Sequence, residues 1–154
     1  MKLKEIFLIF GLVAIDQLSK FLATIYLKPI HSTEIIRNFL DFTYVLNDGA
    51  AFGMLRGARW FFIILTIAIL GIIVYYYRKI PKGLAYSWLK FSLLLVSAGA
   101  IGNFIDRVRA GVVVDFLHVR FIDFPIFNIA DIYVSIGGCL MFILLVFFIK
   151  DEKE

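Results

Sequence analysis

The sequence predicts an all-α membrane protein, four transmembrane helices with a small sheet at one surface, and three observations carry that prediction. Of the 154 residues, 62% are hydrophobic and 17% aromatic, well above the roughly 45–50% apolar usage of a soluble domain. Four apolar stretches each approach the roughly 20 residues that cross a bilayer as a helix, and little chain is left between them. Two of the connecting segments are themselves rich in β-branched and aromatic residues, which polar linkers are not.

The spans are expected at residues 6–26, 60–77, 84–105 and 126–149, within one integral membrane domain covering 1–154. The opening Met-Lys-Leu-Lys-Glu and the apolar run after it imitate a secretory signal peptide. No small-x-small cleavage pattern follows, so this segment is expected to stay attached as the first span. Four spans put both termini on one side. Lys2, Lys4, Arg78, Lys79, Lys82, Lys150 and Lys153 fall on that side; Lys28, Arg37, Arg56, Arg59, Arg107, Arg109 and Arg120 fall on the other. The positive-inside rule therefore leaves the orientation open.

The net charge of +4 comes from basic residues scattered at the ends of apolar stretches. Without a continuous basic face, the pattern points to lipid headgroups and away from nucleic acid. Cys139, the single cysteine, can form no internal disulfide or thiolate metal site and reads as helix packing. Residues 35–46 and 112–124 show partial alternation and are expected to give one or two short strands each. Asn47-Asp48-Gly49 signals a turn after the first of these, and residues 50–53 continue as a weakly amphipathic stretch.

An ionisable side chain inside a span costs at least ~2.5 kcal/mol on insertion scales, which makes it a functional hypothesis by default. Asp16 and Lys20 stand four apart in the first span, acid before base, and share a helix face. They read equally well as a self-neutralising pair and as an element that positions other groups. At the far end of the third span, Asn103, Asp106 and Arg107 share a face by the three-and-four rule; a helix end meeting water would explain the same charges. Asn128 and Asp131 repeat the Asn-x-x-Asp spacing at the start of the fourth span. There the helix dipole favours an anion, so plain capping also accounts for Asp131.

Asp115 lies in Val112-Val-Val-Asp-Phe-Leu117, an acid in an otherwise apolar run. A buried lone carboxylate must be neutralised or partnered. Asp131 is the natural partner if the intervening residues fold back, although the Asn-x-x-Asp repeat also draws attention to Asp106. Arg107 and Arg109 are expected to hold Asp106 ionised, which makes it a poor proton sharer. Two adjacent carboxylates that share one proton can act as base on a water and acid toward a peptide, the chemistry of an aspartic protease. Other protease chemistries lack parts. His31 and His118 do not have zinc-protease spacing, no Gly-x-Ser-x-Gly elbow is present, and Ser19 and Lys20 diverge as adjacent helix positions.

Five motifs, Asp16-Gln-Leu-Ser-Lys20, Asn47-Asp-Gly-Ala-Ala-Phe52, Gly102-Asn-Phe-Ile-Asp-Arg107, Val113-Val-Asp115-Phe and Phe127-Asn-Ile-Ala-Asp131, closely resemble those of lipoprotein signal peptidases in content and order, across nearly the whole chain. The resemblance implies a four-helix aspartyl peptidase with a small extracytoplasmic β-cradle, without cofactor or metal. The implied substrate is a diacylglyceryl-modified prolipoprotein, cut before the lipidated cysteine of its lipobox. By the same resemblance Asp115 and Asp131 are the catalytic pair. Asn47, Asn103, Arg107 and Asn128 match polar positions around substrate and dyad, and Asp16, Lys20, Gly99, Phe127 and Ala130 match structural or positioning ones. Ser97-Ala98-Gly99 stands where two glycines are frequent, and Asp48 where threonine is common. The implied setting is the bacterial cytoplasmic membrane, with membrane lipids as neighbours, both termini cytoplasmic, the dyad near the outer face and a monomeric enzyme. A transporter or proton relay is the rival from another class, but it predicts acids spread through the bilayer depth, whereas most here gather at one end.

Overall fold

The computed structural model describes residues 2–50 and 54–149; residues 51–53 of the amphipathic stretch and the terminal Lys150 and Lys153 lie outside them. Among the described residues four helices are long and apolar enough to cross a membrane: α1 (Leu3–Tyr26), α2 (Arg59–Tyr77), α3 (Leu84–Ala110) and α4, which begins at Ile129 and passes through a π-helical turn to Phe148. Between α1 and α2 lie β1 (Ser32–Ile36) and β2 (Leu40–Asn47), and between α3 and α4 lies β3 (Val113–Val119).

Lipid-facing surface is apolar, as a bilayer requires: Phe7, Phe10 and Phe21 on α1 and Phe61 and Ile64 on α2 are all more than half exposed. The helix at the centre is α3, whose buried residues include, beside four leucines, the small residues Ser92, Ser97, Ala98, Gly99 and Gly102. Hydrophobicity does not hold spans together inside lipid, so close approach through small residues has to. A Cβ on Gly99 would clash with the carbonyl oxygen of Ala130, and one on Gly137 would lie 2.7 Å from that of Ser92. These two contacts are seven residues apart on α3 and seven on α4, two helical turns each. They set the antiparallel register of the two helices and, with it, the height of Asp131 against Asn103. The hydroxyls of Ser92 and Ser97 return to carbonyls of their own helix at 2.8 and 2.7 Å, so neither is an orphan donor in the interface.

The strands form one antiparallel sheet in the order β1-β2-β3. The hairpin turns at Arg37–Asn38–Phe39, with Asn38 in the left-handed region at φ 56°, a conformation that asparagine tolerates. Leu27, Ala23 and Phe116 pack together under this sheet, with Phe42, Tyr44 and Ile129 around them. A bulge in β2 between Phe42 and Val45 sets Val45 opposite Asp115 and Asn47 opposite Val113.

Several boundaries differ from those expected. Helix α3 runs five residues beyond 105, because the drop in hydropathy at Arg107 and Arg109 does not end a helix; Gly111, at φ 79° with its N–H on Arg107, does. The fourth helix starts at Ile129 in place of 126, since Phe127 is extended and bridges to Leu117. The first strand begins at Ser32, the hairpin turn divides the expected 35–46 segment, and of 112–124 only Val113–Val119 is strand.

Candidate active site

Asp115 and Asp131 reach the same cavity from different elements. Asp115 projects from the middle of β3, and its neighbour by the two-residue strand period, Val113, lines the cavity beside it. Asp131 stands at the third position of α4, whose N-cap is Asn128. In this capping box the Asn128 side chain accepts from the Asp131 N–H at 3.1 Å and the Asp131 carboxylate accepts from the Asn128 N–H at 3.0 Å. The helix start thus fixes Asp131 by a local rule.

Asn128 also joins the two acids. Its Nδ2 donates to Asp115 Oδ1 at 2.6 Å, while Asn47 Nδ2 donates to Asp115 Oδ2 at 2.8 Å. Both oxygens of Asp131 are engaged as well, Oδ2 by the Asn128 backbone and Oδ1 by Asn103 Nδ2 at 2.8 Å. Asp115 is 3% exposed and Asn128 fully buried. Burial pushes the Asp115 carboxyl up to about 6; the charge of Asp131 pushes the same way, against the hydrogen bonds from Asn47 and Asn128.

The cavity, of about 560 Å³, has Asn47, Asn103, Arg107, Asp115, Asp131 and Ser135 as its polar side chains. Arg107 donates to the Gly49 carbonyl at 3.1 Å and lies 4.6 Å from the Phe62 ring centroid, so its guanidinium is held between the turn after β2 and helix α2. The turn itself forms as its sequence implies, with the Gly49 N–H on Asn47 Oδ1 at 2.9 Å. A second, apolar wall comprises Phe124, Pro125, Ile126 and Phe127 with Ile132 and Ile136 of α4. Ile136 is 54% exposed, so this wall reaches the outer surface of the molecule.

Asp106 is not part of this constellation, although it shares a helix with Asn103 and Arg107. It turns to α1, pairing with Lys20 at 2.8 Å and accepting from Gln17 Nε2 at 3.1 Å. The cation that holds it is therefore Lys20, and not Arg107 or Arg109 as their sequence proximity suggests. Lys20 also pairs with Asp16 at 2.9 Å, both side chains being almost wholly buried, and Asp16 Oδ1 accepts from the Ala130 N–H at 2.9 Å. The pair is thus more than self-neutralising, because it ties α1 to the first turn of α4. Phe127 contributes through its backbone: its carbonyl accepts from the N–H groups of Phe116 and Leu117 at 3.0 and 2.8 Å, clipping the approach to α4 onto β3 beside Asp115.

Gln17 escapes a reading of the sequence, yet its amide bridges Asp16, the Gly102 carbonyl and Asp106 at 3.1–3.2 Å. An uncharged amide beside Asp16 in a span is the available signal. Ser135, one turn after Asp131, is equally silent in the sequence.

The family model described as signal peptidase (SPase) II matches residues 8–148. Lipoprotein signal peptidases of Streptococcus pyogenes serotypes M1 and M5 are 41% identical over 134 residues, 87% of this chain and of theirs. Two bacterial membrane enzyme structures solved by the in meso method, at 2.3 and 1.9 Å, are 41% and 40% identical. They superpose with TM-scores of 0.87 and 0.83, over 98% and 95% of this chain and 93% and 94% of theirs.

Proposed function

Because the chain belongs to the signal peptidase II family, aspartic endopeptidases that remove signal peptides from prolipoproteins, we propose that Asp115 and Asp131 are the residues with which it does so. The observation that carries this reading is the single residue Asn128. Through its side chain and backbone it holds one oxygen of each carboxylate, in a cavity with one apolar wall.

In the proposed mechanism Asp131, at a helix N-terminus that favours negative charge, is ionised and takes the proton of the attacking water. Asp115, buried and pushed toward the neutral form, donates its proton to the carbonyl oxygen as the tetrahedral intermediate forms. The proton held by Asp131 then passes to the departing amine while Asp115 takes back a proton from the hydroxyl that re-forms the carbonyl, which restores the starting state, and a new water enters. Arg107 and Asn47 contact the peptide backbone. The apolar wall receives the diacylglyceryl chains of the modified cysteine, and cleavage falls just before that residue. The enzyme acts as one monomeric unit in the bacterial cytoplasmic membrane, with both termini cytoplasmic and the cavity at the outer face, where lipoprotein precursors emerge.

Single-turnover cleavage of a lipidated lipobox peptide in detergent tests the assignment. Asp115→Asn and Asp131→Asn should each lose about 10³-fold or more in rate while remaining folded. Asp106→Asn, which touches Lys20 and not the cavity, should lose thermal stability and retain measurable turnover. A folded Asp115→Asn enzyme cleaving near the wild-type rate, beside a folded but inert Asp106→Asn, overturns it.

A further inference from the structure

Lys20 is 3% exposed and lines a second cavity, of about 460 Å³, between α1, the sheet and the end of α3. The strand period separates the two cavities: Val113 and Asp115 face the first, Val112 and Val114 the second. Neutralising Asp16 would need one contact from the ammonium group, but Nζ makes three. It meets Asp16 Oδ2 at 2.9 Å, Asp106 Oδ2 at 2.8 Å and Asn103 Oδ1 at 2.9 Å. The first two are ion pairs and the third is a hydrogen bond donated to an uncharged amide.

The third contact leads to the reacting pair. Asn103 Oδ1 also accepts from Asn128 Nδ2 at 3.1 Å. An ammonium group can only donate, so it holds the oxygen end of the Asn103 amide toward itself and the nitrogen end toward Asp131 Oδ1, 2.8 Å away. A cation at the oxygen end also polarises the amide and strengthens the donor at its far end, most of all where the dielectric is low. Asp131 thereby receives one backbone N–H and one amide N–H whose orientation a buried cation enforces. Asp115 receives two amides, neither of which contacts a cation among the described residues; the charge of Lys20 reaches it only through space, as that of Arg107 reaches both carboxylates.

We propose that Lys20 is a positioning residue that makes Asp131 the proton-accepting member of the pair, acting through the side-chain amide of Asn103. This rests on the dyad proposed above. It differs from a purely structural role for Lys20, which changes stability and leaves the pH dependence of catalysis untouched.

The test measures kcat/KM against pH, with thermal unfolding in the same detergent, for wild type, Asp16→Asn alone, Asp16→Asn with Lys20→Met, Asn103→Ala, and the combination of all three substitutions. Removing Asp16 with Lys20 avoids leaving the fully buried Asp16 carboxylate without its partner, while Asp106, which also loses Lys20, is 11% exposed and keeps the Gln17 amide. The acid limb of kcat/KM should move to higher pH by about one unit, a roughly tenfold loss on the acid side, in the Asp16→Asn, Lys20→Met protein and not in Asp16→Asn alone. Asn103→Ala should move it similarly, and the triple variant no further than Asn103→Ala, the non-additivity expected of two residues acting through one group. A folded Asp16→Asn, Lys20→Met enzyme with the wild-type limb overturns the proposal, as does a triple variant in which the two shifts add in full. If the Lys20 variant does not fold, a folded Asn103→Ala enzyme with an unmoved limb overturns it as well. Failure of the dyad itself reads differently, as turnover surviving in Asp131→Asn.

Discussion

Asn128 and Asp115 meet across 2.6 Å, amide to carboxylate, although one caps a helix and the other sits in the centre of a strand. Asn128 therefore has two duties that a substitution can separate: its Oδ1 caps α4, and its Nδ2 holds Asp115. Asn128→Ser keeps an oxygen that can cap and discards the amide donor. That variant should unfold within a few degrees of wild type and lose about 10²-fold or more in kcat. Asn128→Ala loses the cap too, about 0.5–2 kcal/mol, and should fall in both readouts. Thermal unfolding beside single-turnover kinetics checks the pair; a serine variant with full activity would show that the amide is dispensable.

Packing at Gly99 offers a second check. Any side chain there runs into the Ala130 carbonyl, whereas Gly138 on α4 has open space around it. Gly99→Ala should push the start of α4 from α3, destabilise by about 1–3 kcal/mol or more, and lower activity by displacing Asp131 from Asn103. Gly138→Ala, by contrast, should be neutral or gain up to about 1 kcal/mol from helix propensity. Equal unfolding temperatures for the two variants would refute the close-contact account.

Topology is open to direct measurement. Glu34 lies on β1 with its carboxylate 3.8 Å from Arg120, both about half exposed. In intact cells Glu34→Cys should react with a membrane-impermeant maleimide, and tags on either terminus should be reached only after lysis. Labelling of the introduced thiol only after lysis would reverse the proposed orientation.

Much of this site was legible because membranes make polar residues conspicuous. Asp16, Lys20, Asn103, Asp115, Asn128 and Asp131 stand out against apolar surroundings, and local rules place Asp131 at a helix start and Asp115 on a strand. What the chain order hides is which groups converge. The two Asn-x-x-Asp elements look alike, yet Asp131 caps its own helix and enters the cavity, while Asp106, far along α3, turns to Lys20. Gln17 and Gly102 acquire roles only when α1 packs on α3. Periodicity could not locate the β2 bulge either, and the register of Asn47 against the Asp115 strand depends on it.

Protonation of Asp115 links stability and catalysis to pH. Its folded value of about 6 exceeds the ordinary 3.8, with burial the largest cause and the charge of Asp131 a further one. Between those two values the folded protein binds more protons than the unfolded chain, so stability falls as pH rises through that window and levels off above it. The two-unit difference bounds the penalty at about 3 kcal/mol. Asp115→Asn removes the titrating group, and should unfold at higher temperature than wild type near pH 7, with the gap closing as pH approaches 4. A gap that stays constant from about pH 4 to 8 would show that burial does not raise this carboxyl. Catalysis needs the same proton on the acid, so the basic limb of kcat/KM should lie near that value, reporting the pair as a unit. Asn47 donates to the carboxylate form and opposes the rise. Asn47→Ala should therefore move the basic limb to higher pH while the acid limb, governed from the Asn103 side, stays in place.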